Sequence, residues 1–215
     1  MPPRKGSNKP FHAMRTHWIN SGIHPCQRRL DSFGKWQGLC GYCELYQWLW
    51  QKGLTNETRM IKPLERFLCN IIARDYSPHH PNHVIPNAGP FVYAMGKTLH
   101  TMVINVIVGD PVIARKPLGD ITAYKTGRDF KIKRNLVGGN YPSYIDSLFL
   151  EESVAGTTEE WERWMASLHE LDKVFKKEDP VVVKNICDKY MSSCKEPVKS
   201  VKVPKFRSID EGWEC

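Results

Sequence analysis

Apolar positions change their spacing along the chain, and each change marks a predicted element. Leu45, Trp48 and Leu49, with Tyr46 and Trp50 flanking them, fall at helical spacing and stop at Gly53, predicting an aromatic helix. Leu64, Phe67, Leu68, Ile71 and Ile72 then follow the i, i+3, i+4, i+7, i+8 pattern. They predict a second amphipathic helix, capped by Thr55 or Thr58, held back by Pro63 and ended near Tyr76 by Ser77-Pro78. Beyond Gly89 the pattern turns extended. Residues 99–108 are β-branched on both faces, which predicts a central strand covered on both sides. Residues 121–125 and 129–134 alternate apolar with polar around Thr126-Gly127-Arg128, a predicted hairpin. Helical spacing returns in the C-terminal third, with a short helix over 144–150. Thr157 and Glu160 then form a capping box opening a helix along which Trp161, Trp164, Leu168, Leu171 and Phe175 make a seam. After Asp179-Pro180, Val182, Val183, Ile186 and Tyr190 supply a partner for that seam.

These elements predict an α+β fold: a helical N-terminal half with a Cys/His zinc site, a central short antiparallel β region and a C-terminal helical hairpin. Residues 1–17 carry too little apolar surface to fold alone and read as a flexible basic arm. Residues 18–194 read as one globular domain, helical and Cys/His-rich over 18–88, β-rich over 89–140 and helical over 141–194. Residues 195–215 form a basic tail. A chain of 215 residues suits one such domain. No apolar run approaches the roughly 20 residues of a membrane-spanning helix. The basic start is followed by no apolar stretch, which argues against export and for a cytoplasmic or nuclear protein. Seven cysteines are an odd number, so thiols or metal ligands are the better reading than a disulfide framework.

The stretch from 39 to 85 concentrates the candidate chemistry. Cys40-Gly-Tyr-Cys43 has the spacing that lets two sulfurs from one turn reach one ion, with Gly41 easing the bend, and His79 and His83 supply imidazoles further on. Thiolate and neutral imidazole suit zinc, so Cys40, Cys43, His79 and His83 are the expected ligands. His24, Cys26, Cys69 and His80 compete for places. A set of Cys26, Cys40 and Cys43 closed by one histidine fits nearly as well.

Charge changes the functional picture. The net charge is +8, and it is segregated. Arg4, Lys5, Lys9, Arg15, Arg28 and Arg29 lie in the first stretch, and Lys125, Arg128, Lys131, Lys133 and Arg134 in the middle. Segregated positive charge releases counterions on binding a polyanion, and Trp18 among the early cations offers a ring for base stacking. The expectation is a non-enzymatic nucleic-acid-binding protein with a structural zinc site, recognising RNA or single-stranded DNA rather than duplex. Its size, charge and basic arm suit a viral accessory or capsid-associated protein. Two other readings compete. One is a protein-interaction adaptor, or homo-oligomer, using the Trp161–Phe175 seam, with the basic patches meeting an acidic partner. The other is a metal-dependent nuclease built on the loop from His79 to His83.

Overall fold

A computed structural model of the chain describes residues 10–76, 84–109, 116–137 and 141–194. It opens with two antiparallel strands, β1 (His12–Ile19) and β2 (Gly22–Pro25). Asn20 and Ser21, at φ 50° and 64°, make the left-handed two-residue turn that suits the twist of a hairpin. A small ribbon follows, β3 (Arg29–Leu30) with β4 (Trp36–Gln37). Asp31 Oδ1 ties its loop by accepting from the Phe33 and Lys35 amides at 2.9 and 2.8 Å. The helices α1 (Gly41–Gln51) and α2 (Thr55–Ile61) precede two long strands, β5 (Leu64–Tyr76) and β6 (Ile85–Met95), and then α3 (Lys97–Val108). Four short strands come next: β7 (Arg128–Lys131), β8 (Asn135–Val137), β9 (Tyr141–Ser143) and β10 (Leu148–Glu152). The helices α4 (Thr158–Ala166) and α5 (Pro180–Ser193) complete the described fold.

The main sheet has the order β2-β1-β5-β6, antiparallel throughout. It is covered on both faces, which decides the rest of the architecture. Phe67, Cys69, Ile71, Tyr93 and Met95 share one core with Leu99, Val103 and Val106 of α3, where His100 stacks flat on Phe67 at 3.5 Å between ring centres. Leu68, Met14 and Val92 meet Leu171 in another. There the fully buried Asn70 grips the strap after α4, accepting from the His169 amide at 3.0 Å and donating to its carbonyl at 3.2 Å. A third core gathers Leu45, Leu49, Ile61, Val183 and Cys187 around the cysteines at the β1–β2 end.

The mixture of helices and antiparallel sheet agrees with the expected class, but the distribution does not. Over residues 18–88, the span expected to be helical, only α1 and α2 are helices among the described residues. Residues 64–76 are a strand: a strand buried on both faces is apolar at consecutive positions, and Phe67, Leu68, Ile71 and Ile72 then imitate helical spacing. Residues 99–108 show the converse. They lie in a helix whose buried positions, Leu99, Val103 and Val106, keep helical spacing despite the β-branched composition. The expected hairpin over 121–134 is replaced by β7 pairing with β10, with Phe130 stacked on Phe149 at 4.4 Å. Asp120 instead winds residues 120–123 into a turn by accepting from the Thr122 amide at 2.8 Å. Residues 144–147 form a turn and 148–150 enter β10, so the span is not helical.

The capping box at Thr157 and Glu160 is present, but α4 ends at Ala166. Leu168 and Leu171 are buried beyond the helix, and α5 packs on α1, so the two C-terminal helices do not form the expected hairpin. The strand β1 also begins at His12, inside the span expected to be a flexible arm.

The α1–α5 contact is close enough to make a prediction. A Cβ on Gly41 would lie 2.9 Å from Val183 Cγ1, a short buried branch with little freedom to move. Gly41→Ala should destabilise the fold by about 1–3 kcal/mol, and adding Val183→Ala should recover part of that loss, read as non-additivity in urea unfolding of the two single variants and the double.

Candidate metal centre

Four buried side chains from different parts of the N-terminal region converge: His17 in β1, Cys26 just after β2, Cys40 at the N-cap of α1 and Cys43 in its first turn. Their donor atoms all lie within 4.8 Å of one another. The hairpin turn brings β2 back beside β1, and the Cys26 amide donates to the Arg15 carbonyl at 2.8 Å, fixing Cys26 next to the strand that carries His17. The helix start does the rest, because residues at N-cap and in the first turn project from one end of the axis.

The spacing within the cluster is diagnostic. Cys26 Sγ is 3.7 Å from Cys43 Sγ, and His17 Nε2 is 3.8 Å from Cys40 Sγ and 3.6 Å from Cys43 Sγ. A tetrahedron with metal–sulfur bonds of about 2.3 Å and a metal–nitrogen bond of about 2.0 Å has edges of roughly 3.8 Å between sulfurs and roughly 3.5 Å between sulfur and nitrogen. These three separations are close to those edges, the remaining donor pairs lie within 4.8 Å, and three sulfurs with one imidazole are a donor set that suits zinc. His17 Nδ1 is 3.0 Å from the Ile61 carbonyl. A donor at Nδ1 leaves the Nε2 lone pair facing the sulfurs, the orientation a ligating histidine needs.

Electrostatics point the same way. Hydrogen bonds with Cys26 and Cys43 hold the Cys40 thiol far below its usual range, while hydrogen bonds with Cys26 and Cys40 push Cys43 up. A thiolate is favoured at Cys40 and opposed at Cys43, so ionising both needs a positive charge in their midst. Burial lowers the His17 pKa, but hydrogen bonds to Cys26, Cys40 and the Ile61 carbonyl outweigh it and raise it to about 9, so without a cation His17 favours its protonated form beside thiolate and must give up that proton to ligate one. The Cys40 sulfur also accepts from the Gln27 amide, a contact that favours thiolate. By contrast, burial pushes Cys69 up to about 12 and Cys187 up to about 11, leaving both as neutral, inert thiols.

Around the four donors lies a polar clasp. His24 Nδ1 sits 2.9 Å from Glu178 Oε1 and 3.2 Å from the Tyr42 hydroxyl, and that hydroxyl donates to Glu178 Oε2. Lys177 donates to the Gln27 carbonyl, and Gln27 Nε2 reaches the Glu178 carbonyl at 3.3 Å. The strap that leads into α5 is thereby pinned beside the cluster.

Of the expected ligands, Cys40 and Cys43 belong to the cluster, whereas His79, His83 and the competing His80 lie outside the described residues. Cys26, weighed as a competitor, is a full member. His24 is turned to Glu178 and Tyr42, and Cys69 lies in the α3 core with its sulfur 3.7 Å from the Tyr93 carbonyl, so neither reaches the other four. His17 is the residue that sequence reasoning missed as a ligand, having been grouped with the basic arm. The signal available was a histidine shortly before a hairpin turn and a cysteine shortly after it, placed to meet across two paired strands.

The expected nucleic-acid contacts are dispersed. Arg15, Arg28 and Arg29 gather beside the metal centre on the wall of one cleft. Trp18 is exposed on β1. Arg128 is committed to the fold, ion-paired with Glu152 at 3.0 Å and donating to the Leu150 carbonyl at 3.1 Å. Lys133 faces Asp146 at 3.5 Å, while Lys125, Lys131 and Arg134 are exposed, and Arg4, Lys5 and Lys9 lie outside the described residues. No helix among the described residues is long and apolar enough to cross a membrane. The chain matches no protein-family model and no curated protein.

The geometry makes the ligand set testable. Purified protein should carry one zinc per chain by elemental analysis. Cys26→Ser, Cys40→Ser, Cys43→Ser and His17→Ala should each lose most of it, whereas a His79→Ala/His83→Ala double variant should keep it. Because a structural zinc site of this kind contributes about 10 kcal/mol or more to folding, chelation should also melt the near-ultraviolet signal of the aromatic residues packed around α1.

Proposed function

We propose that this chain is a zinc-stabilised, non-enzymatic protein that binds RNA or single-stranded DNA. The observation that carries this reading is the coupling of a closed four-donor cluster to a basic loop: Cys26 runs directly into Arg28 and Arg29, and Arg15 precedes His17 on the same strand. Among the described residues, neither Arg28 nor Arg29 has a carboxylate within ion-pair distance. Four buried protein donors leave no open position for water or substrate, so the ion's role is architectural, and hydrolysis at this centre is disfavoured. What the ion holds in place is positive charge, the kind of charge that phosphates engage.

The adaptor reading has less support, since Trp164, Leu168 and Leu171 of the seam are buried within the chain itself while Trp161 is half-buried and Phe175 exposed. The loop bearing His79 and His83, on which a nuclease reading would rest, lies outside the described residues.

Labelled single strands should bind more tightly than duplex of the same length, with log K falling linearly against log salt by about 0.7 per phosphate neutralised. Incubation with magnesium, manganese or zinc should leave the strands uncut on a denaturing gel. Flat salt dependence, or metal-dependent cleavage, would refute this reading.

A further inference from the structure

Between β1, the β3–β4 ribbon and the strap after α4 runs a cleft of about 940 Å³, bordered on one side by the loop that follows Cys26. That volume is at the upper end of the roughly 300–1,000 Å³ that encloses small organic ligands, so the cleft admits a segment of polymer rather than a lone anion. Six cationic side chains line it against one carboxylate, Asp172. Arg15 is already answered by Glu65 at 2.8 Å, and Lys173 by Glu170. Arg28, Arg29, Lys176 and Lys177 have no carboxylate within ion-pair distance among the described residues. In addition, the buried Nε atoms of Arg15 and Arg28 find no hydrogen-bond partner. These nitrogens are closed to solvent, so a ligand would engage the exposed edges of the guanidinium groups.

The same walls carry aromatic rings. Trp36 is held in place by its indole N–H, which donates to Glu65 Oε1 at 3.0 Å, and by the Arg15 guanidinium 4.6 Å from its ring centre. Phe175 lines the opposite wall on the strap and keeps 37% of its surface exposed. Cations beside partly exposed aromatic rings suit a strand whose bases are splayed out. They suit a duplex poorly, because its bases are hidden in the stack.

We propose that this cleft is the seat of the single strand, with phosphates held by Arg28, Arg29 and Lys176 and bases stacked on Trp36 and Phe175. The assignment rests on the nucleic-acid reading above and adds its location and its ligand: an unpaired segment of RNA or DNA longer than one nucleotide.

The test uses the full chain with its zinc, labelled single strands, and inorganic polyphosphate as a polyanion without bases. Phe175→Ala should weaken strand binding about tenfold, the loss of one stacking partner, while leaving polyphosphate affinity unchanged. Arg29→Glu with Lys176→Glu should weaken both ligands. All three side chains are at the surface, and unchanged zinc content with an unchanged unfolding midpoint shows that the variants fold. If strands bind but lose affinity through Lys131→Glu with Arg134→Glu while the cleft variants bind normally, the cleft assignment is overturned and the nucleic-acid reading stands. If the wild-type chain binds no strand at all, both fall. Equal losses for strand and polyphosphate with Phe175→Ala would overturn the stacking role.

Discussion

Four donor atoms within 4.8 Å of one another, three of them sulfur, are the constraint on which the N-terminal architecture turns. Without a cation they repel one another as thiolates or waste their polarity as buried thiols. With one they tie together a hairpin, the loop after it and the start of a helix, pieces that share few other contacts. The cores reflect this. The cluster that includes Cys26, Cys40 and Cys43 is completed by α1, α2 and α5, while the α3 side of the sheet builds its own core from Cys69, Val103 and their neighbours. A metal is an efficient staple at the end of the sheet where the pairing is shortest, since β2 is only four residues long.

The sheet explains which parts of the fold were legible in the sequence. Punctuation carried through: Gly53 closing α1 with φ 72°, the Thr157–Glu160 box opening α4, and Asp179-Pro180 opening α5 are all local chemistry and all present. Periodicity failed where burial is two-sided. β5 presents Phe67, Cys69 and Ile71 to α3 and Leu68 and Asn70 to the strap, so nearly every position is buried or half-buried, and the alternation that identifies a strand is erased. For α3 the error ran in reverse, because β-branched composition was allowed to outweigh spacing. The helix tolerates its valines and isoleucines because packing on the sheet supplies more than their lost propensity, which is a few tenths of a kcal/mol each.

The site was legible in proportion to how local it is. Cys40 and Cys43 belong to one helical turn and could be paired from spacing alone. Cys26 could be offered only as one of several candidates, because nothing in the sequence says how the loop before α1 folds back. His17 depends on a strand pairing, β1 with β2, whose turn residues Asn20 and Ser21 lack the glycine that usually announces such a turn. Long-range partners were invisible for the same reason. The contact of Asn70 with His169, and of His24 and Tyr42 with Glu178, joins residues far apart in the chain.

Those long-range partners bring the metal centre and the cleft into one device. The strap after α4 is anchored at one end by Asn70, through both hydrogen bonds to His169, and at the other by Glu178, against His24 and Tyr42 beside the cluster. Between these anchors it carries Leu171 inward and Lys173, Phe175, Lys176 and Lys177 toward the cleft. The facing wall, with Arg28 and Arg29, leaves directly from Cys26. Both walls are therefore referenced to the same four donors, one through the chain and one through the clasp. Burial and the nearby Arg29 lower the Lys177 pKa, and Cys26 and Cys40 act against that shift, so the lysine lies within electrostatic reach of the cluster. Three thiolates and one neutral imidazole around a divalent cation would carry a net negative charge, and Lys177 stands where it would offset that charge. Lys177 also lines the cleft, so removing an ion bound by these donors would disturb the charge and the spacing of the cleft together.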